Sequence, residues 1–216
     1  MIVYILLLLP VAAIAYFFGS LSTLVIASNF IFHRNLRKLG KGNVFISNFK
    51  RIYGIKGAVA LLLVEAVKDI LPVLIGGLVL LIKGHPEAGR ALALFCMVLG
   101  RLWPYIYRMK GSHGTLTLAF GAILLEPSLG IAALAVSAAV AWFSKYVSLG
   151  TVAGALVVMM FSLLTLEDRL LILLVVFTGL AVIIKHIPAM ARMINGQEEK
   201  LELKMQDLRY KFDEKF

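Results

Sequence analysis

Residues 36–53 read LRKLGKGNVFISNFKRIY. The stretch carries Gly40 and Gly42, the amides Asn43 and Asn48, the hydroxyl of Ser47, and the cations Arg37, Lys38, Lys41, Lys50 and Arg51. It sits between two strongly apolar segments. This mixture suits an anionic group such as a phosphate. Glycines let the backbone approach closely, N–H groups and amides donate, and Arg or Lys neutralises. The same cations also have a simpler use, which is to orient a membrane protein.

Further polar motifs interrupt the apolar chain. Lys110-Gly111-Ser112-His113-Gly114 is a glycine-rich turn with a cation, immediately before the apolar stretch 115–125. The first N–H groups of a helix there could meet an anion, although an ordinary interhelix turn reads the same way. The spacing is not that of a P-loop. Tyr146-Val147-Ser148-Leu149 places a hydroxyl beside Lys145, at a break between apolar segments. Lys68 falls inside a long apolar stretch and needs a partner there; Glu65, three residues earlier, shares its helix face, and Asp69 is adjacent. His186 lies near the end of the last apolar stretch. No second His or Cys stands at ligand spacing, so no metal site is predicted. No nucleophile elbow with a Ser–His–Asp order is present either.

These motifs need a scaffold, and composition says which. The 216 residues are 61% hydrophobic and only 16% charged. Soluble domains are usually about 45–50% apolar, so the excess points to an integral membrane protein. The net charge of +10 lies mostly between or after apolar stretches. Anionic headgroups and phosphorylated substrates are therefore the expected partners, with no nucleic acid. Cys96 is the single cysteine, which excludes an intrachain disulfide. The apolar N-terminus lacks a basic region and a clear cleavage site, and reads as a retained first span.

A spanning helix needs about 20 apolar residues. The pattern predicts an all-α integral membrane bundle of seven segments, some short or broken: 2–28, 56–83, 91–107, 115–125, 128–144, 149–165 and 170–187. Pro10 could kink the first, and Gly19, Ser20 and Ser22 are small enough for a second helix to pack closely. Pro104, among Trp103, Tyr105 and Tyr107, suggests a broken helix end. Residues 1–187 form the expected membrane domain, with site loops on one face; 188–216 form a charged cytoplasmic tail. Leu201, Met205, Leu208 and Phe212 mark one stripe of a helix in that tail, with a neighbouring helix as its expected partner. Lys83, Arg90 and Arg169 are the only cations in the alternate loops, which places the N-terminus outside and the C-terminus in the cytoplasm. The polar motifs then share the cytoplasmic side.

In order and spacing these motifs resemble the bacterial PlsY family of acyl-phosphate:glycerol-3-phosphate acyltransferases, over about residues 10–196. The matching positions are Gly19-Ser20, then Gly40-Lys41-Gly42-Asn43 through Asn48 and Arg51. They continue with Glu65-x-x-Lys68, Gly100-Arg101 with Pro104, and the turn 110–114. Tyr146-Val147-Ser148-Leu149 is intact, and His186 precedes Gly196 at the family's distance. The chain also departs from the pattern. Lys41 replaces a serine, Phe45-Ile46 replace Gly-Ala, and Ser112 and His113 replace a glycine and a lysine. Arg101 replaces a histidine, and Ala189 replaces an asparagine.

The resemblance implies transfer of an acyl group from acyl phosphate to glycerol 3-phosphate, giving lysophosphatidic acid and phosphate in phospholipid biosynthesis. It implies a multi-pass protein of the bacterial inner membrane whose site faces the cytoplasm, with membrane lipids around it and no cofactor. The donor is already activated, so the protein must hold and align two phosphorylated substrates and stabilise an oxyanion. Carried over residue by residue, Ser148, Lys110 and His186 are the expected catalytic residues. Arg51, Lys41, Asn43, Ser47, Asn48 and His113 are the expected phosphate-binding residues. A second reading keeps the fold and changes the job: a paralogue with altered or lost catalysis that binds another lipid or phosphate ligand. A transporter would instead show polar residues at mid-membrane in paired broken helices.

Overall fold

The computed structural model describes residues 2–34, 36–39, 46–109, 111–112, 114–198 and 200. Among them there are α-helices and short 3-10 turns and no strands. The helices are α1 (Ile2–Ser20), α2 (Thr23–Phe30), α3 (Ile46–Leu81), α4 (Pro86–Leu102), α5 (Thr115–Leu125), α6 (Pro127–Ser144), α7 (Val147–Thr165) and α8 (Arg169–Ile194). Of the described helices, α6, α7 and α8 are each long and apolar enough to cross a membrane alone.

Several boundaries differ from the hydropathy reading, each for a local reason. The first apolar stretch is cut at Leu21-Ser22 into α1 and α2. The Ser20 hydroxyl donates back to the carbonyls of Tyr16 (2.8 Å) and Phe17 (2.9 Å), closing the end of α1. Helix α3 starts at Ile46, well before residue 56, because a helix needs no apolar sequence in its first turns. It is interrupted at Gly54 (φ 80, ψ 173), a left-handed conformation that only glycine adopts without strain. Pro86 is the first residue of α4, where its missing N–H costs nothing. That helix ends at Leu102, and Pro104 follows in an extended conformation, as the broken end required. Helix α8 runs past 187, through Pro188, to Ile194.

The chain forms two compact units. One holds α1, α3 from Lys68 onward, and α4 to α8. Its core is centred on α4, through Leu94, Met97, Val98 and Leu102, all fully buried. Helix α4 packs against α1, α5 and α8, and α7 packs between α6 and α8. In a bilayer such packing is driven by close van der Waals fit rather than by expulsion of water. The α1–α4 contact shows how close it is. A Cβ on Gly19 would lie 2.0 Å from the Met97 carbonyl oxygen, and one on Gly100 would lie 2.2 Å from that of Tyr16. The two backbones touch, as the small residues of the first span predict.

The same unit buries a charged group. Asp69 is fully buried. Its carboxylate lies 3.2 Å from Lys68 Nζ and accepts a 2.6 Å hydrogen bond from the Thr117 hydroxyl of α5. Lys68 Nζ also donates to the Leu21 carbonyl at 2.9 Å. The intramembrane lysine is thus paired, and the pair ties α3 to α5.

The second unit holds α2 and α3 up to Val67. Leu24, Ala27, Leu36, Phe49, Ala58 and Leu61 form its buried cluster. Phe49 of this cluster meets the rings of Phe32 and Tyr53, and Phe32 is stacked on Tyr53 at 4.0 Å between centroids. The Tyr53 hydroxyl is 3.1 Å from that of Ser28.

Candidate functional site

Ser148 lies in the first turn of α7 and is buried. The turn before it is tight. Lys145 is left-handed (φ 65), with its ammonium 5.0 Å from the Trp142 ring centroid. The Ser144 hydroxyl accepts the Tyr146 N–H at 3.2 Å. One turn along α7, Thr151 donates to the Val147 carbonyl at 3.0 Å and meets the Thr115 hydroxyl at 2.8 Å. Because the Thr151 proton is committed to Val147, Thr115 is the donor between them. This link sets the start of α5 beside the start of α7. Two helix N-termini, each with N–H groups that have no partner within the helix, therefore meet next to Ser148.

The end of α8 comes to the same place. It closes in a Schellman turn: Gln197 N–H reaches the Arg192 carbonyl (2.8 Å) and Gly196 N–H reaches that of Met193 (3.1 Å). Gly196 supplies the required positive φ of 69. The reversal returns Glu198 to Ser148, whose hydroxyl donates to Oε1 at 2.6 Å. Arg192 Nε donates to Oε2 of the same carboxylate at 2.8 Å.

His186 lies on α8, six positions before Arg192, and is fully buried. Its Nδ1 is 2.8 Å from the Val182 carbonyl oxygen. A carbonyl only accepts, so Nδ1 carries the proton. The neutral ring then has its lone pair on Nε2, the form that can take a proton from a hydroxyl.

The carbonyls at the end of α4 are capped from three places. Lys185 Nζ donates to the Leu102 carbonyl (2.6 Å), the Tyr16 hydroxyl donates to that of Trp103 (2.8 Å), and Ser112 N–H donates to that of Arg101 (3.2 Å). Three separate segments thus satisfy the last carbonyls of α4. Arg108 and Met109, just before Lys110, are both left-handed (φ 51 and 61). Such strain is held only where the surroundings fix it. A Cβ on Gly111 would lie 2.1 Å from the Arg101 oxygen and 2.6 Å from that of Leu102. Gly111→Ala is therefore expected to push the turn off α4. Overpacking of this kind costs about 1–3 kcal/mol. A thermal unfolding scan together with an activity assay checks it: both the melting temperature and the rate should fall.

Of the sequence-predicted site residues, Ser148 and His186 are at one end of the α7–α8 pair. Asn48, Ser47 and Arg51 lie at the start of α3 in the other unit. Asn48 is buried, and its Nδ2 donates to the Leu39 carbonyl at 3.1 Å. It therefore ties Leu39 to the first turn of α3. Lys41, Asn43, Lys110 and His113 lie outside the described residues. Sequence reasoning missed Arg192 and Glu198, which it counted with the charged tail. The signal for them was Gly196, a helix-ending glycine two residues before an acid. Among the described residues no group of three His, Cys, Asp or Glu side chains could hold a metal ion.

A family model described as glycerol-3-phosphate acyltransferase matches residues 9–196. The chain belongs to this glycerol-3-phosphate acyltransferase family. The glycerol-3-phosphate acyltransferase of Paraburkholderia phytofirmans is 31% identical over 193 residues, covering 89% of this chain and 90% of the relative. That of Finegoldia magna is 28% identical over 196 residues, covering 90% and 96%. A crystal structure of PlsY, an integral membrane glycerol 3-phosphate acyltransferase in its glycerol 3-phosphate form, superposes with a TM-score of 0.76 at 23% identity, covering 90% of this chain and 96% of that one. The lysophosphatidic acid form of PlsY gives 0.74 at 22% identity, covering 89% and 94%. The all-helical membrane fold is therefore that of the acyltransferase family, and the match ends at Gly196, the glycine that turns Glu198 back.

Proposed function

We propose that this chain is a membrane acyltransferase that moves an acyl group from acyl phosphate to glycerol 3-phosphate. The observation that carries the reading is the meeting of the α5 and α7 N-termini beside the Ser148 hydroxyl. Each helix start brings partial positive charge, and the hydroxyl adds a donor, so the place favours a phosphate. Membership in the glycerol-3-phosphate acyltransferase family supplies the substrate class.

In the proposed reaction the 1-hydroxyl oxygen of glycerol 3-phosphate attacks the acyl carbonyl carbon. The bond from that carbon to the phosphate oxygen breaks, and the products are lysophosphatidic acid and inorganic phosphate. The hydroxyl proton passes to His186 Nε2 or to substrate phosphate. Ser148 and Lys110 hold charge that builds on the acyl phosphate. Arg51, Lys41, Asn43, Ser47 and His113 neutralise or donate to phosphate. Asn48 donates to phosphate alongside them, while its Nδ2 also holds the Leu39 carbonyl. The acyl chain lies among apolar helices. The protein sits in the bacterial inner membrane with its N-terminus outside and its charged tail, from residue 188, in the cytoplasm, where the site also faces. The Lys and Arg distribution supports that orientation.

The test is release of phosphate by the purified protein, given acyl phosphate with and without glycerol 3-phosphate. Release should depend on the acceptor. Arg51→Ala should lower it about 100-fold, the usual scale for losing one charged contact to the transferring group. No acceptor-dependent release from folded protein sinks this reading in favour of another phosphate or lipid ligand.

A further inference from the structure

The Ser148–Glu198–Arg192 contact has the form of an occupied anion site. A hydroxyl and a guanidinium converge on the two oxygens of one carboxylate, at 2.6 Å and 2.8 Å. The Glu198 side chain is 13% exposed and that of Arg192 is 48% exposed. The anion is therefore held in while the cation reaches out. The occupant is brought there by the Gly196 turn and belongs to the chain itself.

This arrangement conflicts with phosphate binding at Ser148. A serine hydroxyl has one proton. While Glu198 accepts it, Ser148 offers an incoming phosphate only lone pairs. A carboxylate left beside a phosphate also adds like-charge repulsion. Glu198 and a phosphate cannot both hold Ser148.

We propose that Glu198 is an internal occupant of the phosphate site, displaced when a phosphorylated ligand binds, and that Arg192 then passes from Glu198 to the phosphate. The proposal rests on the reading of Ser148 as a phosphate-holding residue. A tethered carboxylate competes at a fixed effective concentration, whatever the substrate level. It weakens the hold on substrate and on released phosphate alike, so the product leaves more readily.

The test uses the purified full chain in detergent, with inorganic phosphate as the probe and the shift in thermal unfolding as the readout. Glu198→Gln keeps the shape and removes the charge. It should bind phosphate about tenfold tighter than the unaltered chain, the worth of one charged hydrogen bond. Glu198→Ala should move the same way. Adding Arg192→Gln to either variant should abolish the gain. In the transfer assay, inhibition by inorganic phosphate should strengthen by the same factor while kcat does not rise. Phosphate bound no tighter by either Glu198 variant, or bound by no form of the protein, overturns the proposal; Glu198 would then only fix the Ser148 rotamer. If phosphate binding tightens as expected and no form transfers an acyl group, the acyltransferase reading fails and the internal occupant stands.

Discussion

Asp69→Ala should destabilise the protein by about 3 kcal/mol, the scale for removing one partner of a buried ion pair. The carboxylate is fully buried, and two donors depend on it: the Lys68 ammonium and the Thr117 hydroxyl. Removing it takes the carboxylate from Lys68, which keeps its bond to the Leu21 carbonyl, and unties α3 from α5. Asp69→Asn keeps the bond from Thr117 and should cost less. The double change Lys68→Met with Asp69→Leu removes both charges, and should recover most of the loss, because a well-packed apolar pair replaces a buried ion pair at little cost. Unfolding in detergent, followed by helical signal, reads all three. An Asp69→Ala protein as stable as the parent would show that the pair contributes nothing to the bundle.

Ser148→Ala should lower kcat/KM for acyl transfer about 100-fold. The hydroxyl is a buried side-chain donor in the first turn of α7, where the α5 and α7 N-termini meet, and loss of one such donor to developing charge typically costs about 3 kcal/mol. Ser148→Thr keeps the hydroxyl and should restore part of the rate. The fold should survive, since the change removes one oxygen in the first turn of α7. Rates within twofold of the parent would remove Ser148 from the chemistry.

Much of the scaffold is legible in the sequence because its boundaries are chemical. Helix α5 ends where Glu126 and Pro127 stop it, and α6 ends at Ser144, before Lys145, so the apolar runs are clearly cut. The break after Ser20 is not legible that way. Residues 21–28 stay mostly apolar, and the helix ends through a serine bonding to its own turn. The early start of α3 is hidden for the opposite reason, since Ser47, Asn48, Lys50 and Arg51 make its first turns look like loop to a reading based on hydropathy. At the site, Ser148 and His186 stand out as polar residues in apolar surroundings. Asn48 also stands out, but an amide can serve a ligand or a neighbouring carbonyl, and its composition does not say which. Glu198 is harder still. Its partner Ser148 is far away in sequence, and only the turn at Gly196 brings them together.

The three caps on the end of α4 also impose an order on biosynthesis. The chain is made from its N-terminus, so α4 exists before most of its partners. Tyr16 is already present when Trp103 emerges, and Ser112 follows within a few residues. Lys185, which satisfies the Leu102 carbonyl, is made only after four further helices have begun. Until then that carbonyl must keep water or another donor close by. The end of α4 is therefore completed by the last helix. A nascent chain that ends before Lys185 therefore lacks the side chain that satisfies the Leu102 carbonyl.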